Sequence, residues 1–399
     1  MNAFSNRWFG GGAVLALALT CGAGVAQLTG KVSNAGTVER AASGDAPENA
    51  GPMATGLSPK LESKAIQTAM RKVADWQLVA AEGKWNQQWT YAPLYDGLIA
   101  TTKTTGDPVY AAKVQALAEK FEWKLVDVRF PHADDEALGQ AYLDLYRMKA
   151  DPVRMAATKA TMDRLIARPD DPAKAVWWWC DALFMAPPVL ARMYAITGDH
   201  KYLDYMDREW GITTSLLYMP KEHLYSRDAT FLEKKEKNGQ QLFWARGNGW
   251  VLGGLAQVLT ILPKNDPMRA KYVTQFREMA TRIAGLQQAD GLWKTGLLDP
   301  AAYNSSEVSG SAFFTYAMAW GMNNGLLDRE TFEPVVAKSW AGMLTHIYAD
   351  GRLGSIQPIG AAPDAFTPSS SYVYGVGGFL LAGSELDKMA KGTGAARRK

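Results

Sequence analysis

The chain has 399 residues, with 43 basic and 40 acidic side chains and a formal net charge of +3. With no stripe of Lys and Arg on any segment, this balance excludes a nucleic-acid ligand held by a basic footprint. Two cysteines and four histidines, none paired at ligand spacing, exclude a disulfide framework and a Cys/His zinc site.

From the N-terminus, residues 1–26 read as a secretory signal. Arg7 precedes an apolar run from Ala13 to Leu19, and Gly24-Val25-Ala26 supplies small residues before a cleavage site. The run falls short of the ~20 apolar residues that span a bilayer. The expected product is therefore periplasmic or secreted, with no membrane contact after cleavage. Cys21 leaves with the signal, and Ala18-Leu19-Thr20 before it is a poor context for lipidation. Cys180 then stands alone, so stability has to come from a large core. Residues 27–57 are rich in small polar residues and contain PENAGP, which predicts a flexible leader. One domain is expected over 58–390, and residues 391–399 are expected to be a disordered tail.

Apolar spacing is helical throughout that domain. It predicts twelve helices: 58–78, 92–104, 107–121, 134–148, 151–167, 181–197, 199–213, 244–262, 267–288, 307–325, 328–348 and 371–388. Alternate joints are short, as in Thr105-Gly106-Asp107-Pro108 and Thr197-Gly198-Asp199-His200: glycine ends one helix left-handed and aspartate starts the next. The other six joints, 82–91, 122–133, 168–180, 215–243, 289–306 and 350–370, are long. Helical hairpins with elaborate loops at one end describe an (α/α)6 barrel, an all-α fold with its functional face on the long-loop side. An open helical solenoid is the rival.

The loops carry the candidate chemistry. HADDEALGQAYLDLY (132–146) sets Asp134 and Asp135 at a helix start, which serves as a cap or as a pair of site carboxylates. WWWCDALFMAPP (177–188) puts Asp181 after three tryptophans, with Phe184, Met185 and Pro188 on the same helical face. A carboxyl group desolvated between rings has a raised pKa suited to general acid and base work, although a plain helix cap is the alternative. HLYSRDATF (223–231) brings Arg227 and Asp228 into the longest loop. FWARGNGW (243–250) places Arg246 between Trp244 and Trp250, where a guanidinium could grip a carboxylate with two parallel bonds or tie loops together. Glu307 reads as a cap, and SSSYVYGVGGF (369–379) as a small-residue loop boundary. Tryptophans numbering 14 in all, many of them in loops, suit the apolar faces of sugar rings. Metal, cofactor and Gly-x-Ser-x-Gly nucleophile readings find no support, and Cys180 reads as a buried structural thiol.

Taken together, the motifs resemble a known family. They are Trp179-Cys180-Asp181-Ala182-Leu183-Phe184-Met185, the Leu224-Tyr225 pair, W-x-R-x-N-G-W from Trp244 to Trp250, and S-G-x-A-x-x-x-Y-A-x-A-W-G-x-N-N-G from Ser309 to Gly325. Over roughly 60–388 the chain resembles glycoside hydrolase family 105, the unsaturated rhamnogalacturonyl hydrolases, which is related to the unsaturated glucuronyl hydrolases of family 88. The resemblance implies an (α/α)6 barrel that hydrates the C4=C5 bond of an unsaturated uronic acid at the end of a lyase product, as in pectin breakdown, without a cofactor. Asp181 looks like the proton donor that then activates water, and Asp134 like the second active-site aspartate. Trp244 and Arg246 look like sugar contacts, with Trp250, Arg227, Trp179 and Met185 as further candidates for substrate binding. One departure is that Arg227 occupies the place of a histidine in characterised members, so another uronate-containing oligosaccharide would also fit. Two alternatives to the hydrolase are a noncatalytic carbohydrate-binding barrel and another (α/α)6 enzyme acting on saturated sugars.

Overall fold

The computed structural model describes residues 39–169, 171 and 174–396; the expected signal at 1–26 lies outside the described residues. The helices are α1 (Ser63–Ala80), α2 (Ala92–Thr105), α3 (Val109–Lys120), α4 (Ala133–Glu136), α5 (Gly139–Met148), α6 (Val153–Ile166), α7 (Ala182–Met185), α8 (Pro187–Thr197), α9 (Lys201–Leu217), α10 (Ala245–Ile261), α11 (Arg269–Ala284), α12 (Val308–Asn323), α13 (Arg329–Leu344) and α14 (Val373–Ala396). Two of the predicted helices are each split near the site. The Pro187-Pro188 pair, which cannot donate to the preceding turn, separates α7 from α8. At the other break, Gly139 begins α5 where a Cβ would stand 2.9 Å from both Thr158 and Val189.

Helices α2, α5, α8, α10, α12 and α14 form an inner ring in which each touches the next, and α14 packs back on α2. That contact closes the (α/α)6 barrel and rules out an open solenoid. Inner helices are apolar on every side: α12 is buried from Val308 to Met322 and α10 from Ala245 to Leu259. The joints work as their sequences suggest. Gly106 and Gly198 end α2 and α8 at φ 74° and 72°, and Asp107, Asp151 and Asp199 each accept a hydrogen bond from the backbone two residues on.

At the opposite, long-loop end lie three two-stranded antiparallel ribbons: β1 (Gly44–Asp45) with β6 (Ser371–Tyr372), β2 (Tyr218–Met219) with β3 (Leu224–Tyr225), and β4 (Trp293–Lys294) with β5 (Ser306–Glu307). The first ribbon corrects the expectation of a flexible leader over 39–57, because those residues pack on the barrel; residues 27–38 lie outside the described residues. Residues 39–43 are helical. Tyr91 donates to the Ala42 carbonyl at 2.9 Å, Ser43 to Thr90 at 2.9 Å, and Arg40 to the Ile359 carbonyl at 2.9 Å. Farther along, the Ala54 amide bonds the Ile347 carbonyl at 2.8 Å. These bonds form a strap, held by backbone pairing where the segment has few large apolar side chains to bury. The expected disordered tail is also corrected in part, since α14 runs through Ala396 and only residues 397–399 lie outside the description.

Candidate active site

Site residues gather where the inner helices begin. Asp135 anchors the loop before α4: it accepts from the Val128 and Arg129 amides at 3.1 and 2.8 Å and from Arg129 Nε at 2.8 Å. That leaves its neighbour Asp134 turned to the mouth, with Arg129 NH1 at 3.4 Å and the His132 Nδ1 at 3.6 Å. The His132 ring lies 4.6 Å from that of Trp179, so the α4 start and the tryptophan run form one wall.

Asp181 immediately precedes α7. The Cys180 thiol donates to its carboxylate at 3.4 Å, and Arg227 Nε stands 3.8 Å from Oδ2. Backbone pairing makes this closeness possible: the Cys180 amide bonds the Arg227 carbonyl at 2.8 Å, and Trp179 bridges to Asp228. Asp228 holds Arg227 NH1 at 2.6 Å and accepts from the Thr230 amide at 2.8 Å. Trp178 lies beneath the Arg227 guanidinium at 5.5 Å and is 46% exposed, an open aromatic face at the mouth.

Electrostatics separate these groups. Burial pushes the Asp134 carboxyl up to about 7; Arg129 opposes the rise, while Asp181, Glu39 and Asp135 add to it. Burial also raises Asp181, against the pull of Arg227, the Cys180 hydrogen bond and Arg246. Asp134 thus retains a proton near neutral pH, and burial moves Asp181 in the same direction, toward what a general acid requires. His132 is pushed down to about 4 by burial, with Arg129 acting in the same sense, so its imidazole is neutral. Burial keeps the Cys180 thiol protonated, which leaves it a packing group rather than a nucleophile.

FWARGNGW plays a different part from the one expected of it. Arg246 is 1% exposed and gives NH1 to the Gln357 carbonyl at 2.6 Å and NH2 to the Pro358 carbonyl at 2.8 Å. Its guanidinium is sandwiched between Trp244 at 4.5 Å and Tyr374 at 4.9 Å. Trp244 bonds the Gln357 side chain at 2.8 Å, and Asn248 clasps the Tyr225 backbone through both of its amide atoms. Trp250 is fully buried among Phe184, Phe313, Trp89 and Tyr374. Arg246 thus ties the last long loop to α10, the loop-tying alternative its sequence offered, and Trp250 packs the core beneath the mouth. The two glycines permit this crowding, since a Cβ at Gly247 would meet Trp244 and Cys180 at 3.1 and 3.2 Å.

Asp134, Asp181 and Arg227 thus come together at the mouth with Trp179, while Met185 on α7 and Trp244 at the start of α10 lie buried. Glu307 is the cap its sequence suggests, accepting from the Ser309 and Gly310 amides at 3.0 and 2.6 Å. Sequence reasoning missed Arg129, Trp178 and Glu39. Trp178 was open to discovery as the one of three adjacent tryptophans that a turn would leave outward; Glu39 carried no signal. Among the described residues, no group of three His, Cys, Asp or Glu could hold a metal ion.

A closed helical barrel with a desolvated carboxyl pair at its long-loop mouth is the architecture of a carbohydrate-active enzyme, here a glycosidase. The pattern of Glycosyl Hydrolase Family 88 matches residues 62–390, and the chain belongs to that family. It is 40% identical to an unsaturated 3S-rhamnoglycuronyl hydrolase of Formosa agariphila, over 82% of this chain and 92% of that one. A protein of the same name from Alteromonas sp. (strain LOR) is 33% identical over 75% of this chain and 77% of its own. The solved structure of a glycosyl hydrolase family 88 protein from Bacteroides vulgatus superposes with a TM-score of 0.78 at 32% identity, covering 82% of this chain and 99% of that chain.

Proposed function

We propose that this glycosidase removes a C4=C5 unsaturated uronic acid from the non-reducing end of lyase-generated oligosaccharides by hydrating the double bond. The carrying observation is the pair of buried carboxyls, Asp134 and Asp181, beside the Arg227 cation. The C4=C5 bond is conjugated with the ring oxygen, so protonation at C4 places positive charge on C5 and that oxygen. Asp181 gives the proton, then takes one from the water that adds at C5. The resulting hemiketal opens to a ketone, leaving a hemiacetal at C1 that expels the neighbouring sugar. Asp134 orients the substrate hydroxyls, and Arg227 binds the uronate carboxylate, a role its position favours over the buried Arg246. Trp178 offers an open face for a sugar ring, with Trp179 packed behind it.

For the linkage, the names of the two relatives support a rhamnoglycuronyl rather than a pectin-type rhamnogalacturonyl substrate. Export to the periplasm or beyond is part of this proposal, resting on residues 1–26 and tested by N-terminal sequencing of the protein made in cells. The test of function is to mix the enzyme with unsaturated disaccharides from a rhamnoglycuronan lyase and a rhamnogalacturonan lyase and follow the ultraviolet absorbance of the double bond. Loss of absorbance that vanishes in Asp181→Asn is expected. Persistent absorbance with measurable binding would identify a carbohydrate-binding barrel, and sugar release without loss of absorbance would identify a glycosidase of saturated sugars.

A further inference from the structure

The bore of the barrel also opens at the end away from the carboxyl pair. All six inner helices line a cavity of about 620 Å³ there, within the ~300–1,000 Å³ typical of small-molecule sites. Its lining runs down single helix faces: Asp96, Ala100 and Lys103 on α2, Tyr316 and Trp320 on α12. Two of the polar groups deep in this bore lack hydrogen-bond partners. Asp96 is 5% exposed and neither carboxylate oxygen has a hydrogen-bond partner; Gln257 Nε2 is buried and likewise without one.

Nearby groups supply the missing bonds only in part: Gln257 leans on the Asp96 carboxyl as a donor and opposes the rise that burial imposes on it. The Arg192 guanidinium is committed to Asp144 at 3.0 Å, the Gln140 side chain at 3.2 Å and the Pro188 carbonyl at 3.2 Å. It also donates to Gln257 Oε1 at 2.6 Å, which fixes the orientation of the amide. On the wall, Lys388 pairs with Glu385 and Lys391 with Asp387, each at 2.6 Å. These four charges are neutralised in pairs, and burial beside Arg192 and Arg147 pushes Lys103 toward its neutral form, so an ionic ligand gains little.

We propose that this bore is a second, noncatalytic site for a small neutral saccharide. A vicinal diol matches what is left open: one hydroxyl donates to Asp96 and its neighbour accepts from Gln257 Nε2. The edges of Tyr316 and Trp320 border the sugar's apolar face. Buried polar groups without partners cost on the order of 1–3 kcal/mol each, a deficit the ligand removes. This site stands whether or not the hydration chemistry at the other end does.

The experiment titrates L-rhamnose and D-glucose into the full-length protein by saturation-transfer NMR and soaks the same sugars into crystals. Saturable binding of at least one sugar, with density on Asp96 and Gln257, is expected. Asp96→Asn should weaken it at least tenfold, and Ala100→Trp, which plugs the bore without touching its polar groups, should abolish it. Both variants should keep the parent's turnover of unsaturated substrate. No saturable binding, binding indifferent to both variants, sugar found only at the Asp134 mouth, or a bore that takes only salt ions would each overturn the proposal.

Discussion

Arg227 Nε stands 3.8 Å from the Asp181 carboxylate, and the same guanidinium holds Asp228 at 2.6 Å. Asp228 thereby fixes Arg227 on one edge and leaves the other facing the proposed acid. This cation lowers the Asp181 pKa that burial raises. Arg227→Met is expected to reduce kcat/KM by roughly 10- to 100-fold, the worth of about 1.5–3 kcal/mol for hydrogen bonds to a charged partner. It should also move the basic limb of the pH profile upward, because Asp181 then keeps its proton longer. A profile that falls in amplitude without shifting would remove Arg227 from contact with Asp181.

Asp134, pushed up to about 7 mainly by burial, makes activity and stability oppose one another. Its folded pKa exceeds the unfolded value of 3.8, so the folded state binds more protons between about 4 and 7. Its contribution to stability is complete below the unfolded pKa and is lost as pH rises through the folded one. Asp134→Asn should therefore raise Tm at pH 8, change it little at pH 4, and cost at least 100-fold in turnover. Thermal melts at the two pH values check the sign.

Arg246→Met separates support from contact. The variant strands the Gln357 and Pro358 carbonyls that the guanidinium satisfies, at ~2–4 kcal/mol for the buried groups left unpaired. Tm should fall by several degrees, and the loop at 350–370 should become a protease target. An Arg246→Met protein as stable as the parent but unable to bind substrate would restore the carboxylate grip suggested by its sequence.

Glu39 tests the strap. Its carboxylate is among the charges that raise Asp134, and it enters the mouth only because residues 40–43 are bonded to Ile359, Thr90 and Tyr91. Glu39→Gln should lower the Asp134 pKa, read by carbon-13 NMR of the labelled carboxyl, while leaving Tm almost unchanged. An unshifted Asp134 titration would show that the strap brings no charge to the site.

How much of this was legible in the sequence depends on how far each signal travels. Gly106-Asp107 and Gly198-Asp199 speak for themselves, since capping is settled within a few residues, and their alternation with long loops was enough for the barrel. Asp181 was legible because the three tryptophans before it foretell desolvation, and Asp134 because it is one of two adjacent acids at a helix start. Pro187-Pro188 announced a helix break that the apolar period around it concealed. Arg246 and Arg227 are alike in composition and loop context; only the position of Gln357, more than 100 residues on, consigns one to the interior. The strap was invisible for the same reason, as its Gly44 and Asp45 find their partners at Tyr372 and Ser371.

That pairing has a consequence for how the enzyme is made. Every contact that seats residues 39–54 on the 347–372 loops joins an early part of the chain to a late one, with Arg40 reaching Ile359 across 319 residues. Neighbouring hairpins can assemble among themselves, but the mouth cannot be sealed until α14 has met α2. A nascent chain stalled before residue 371 would carry most of the catalytic groups on an unclosed arc, its apolar inner helices exposed. Competence for catalysis is therefore acquired in a single late event, when the two ends of the ring meet.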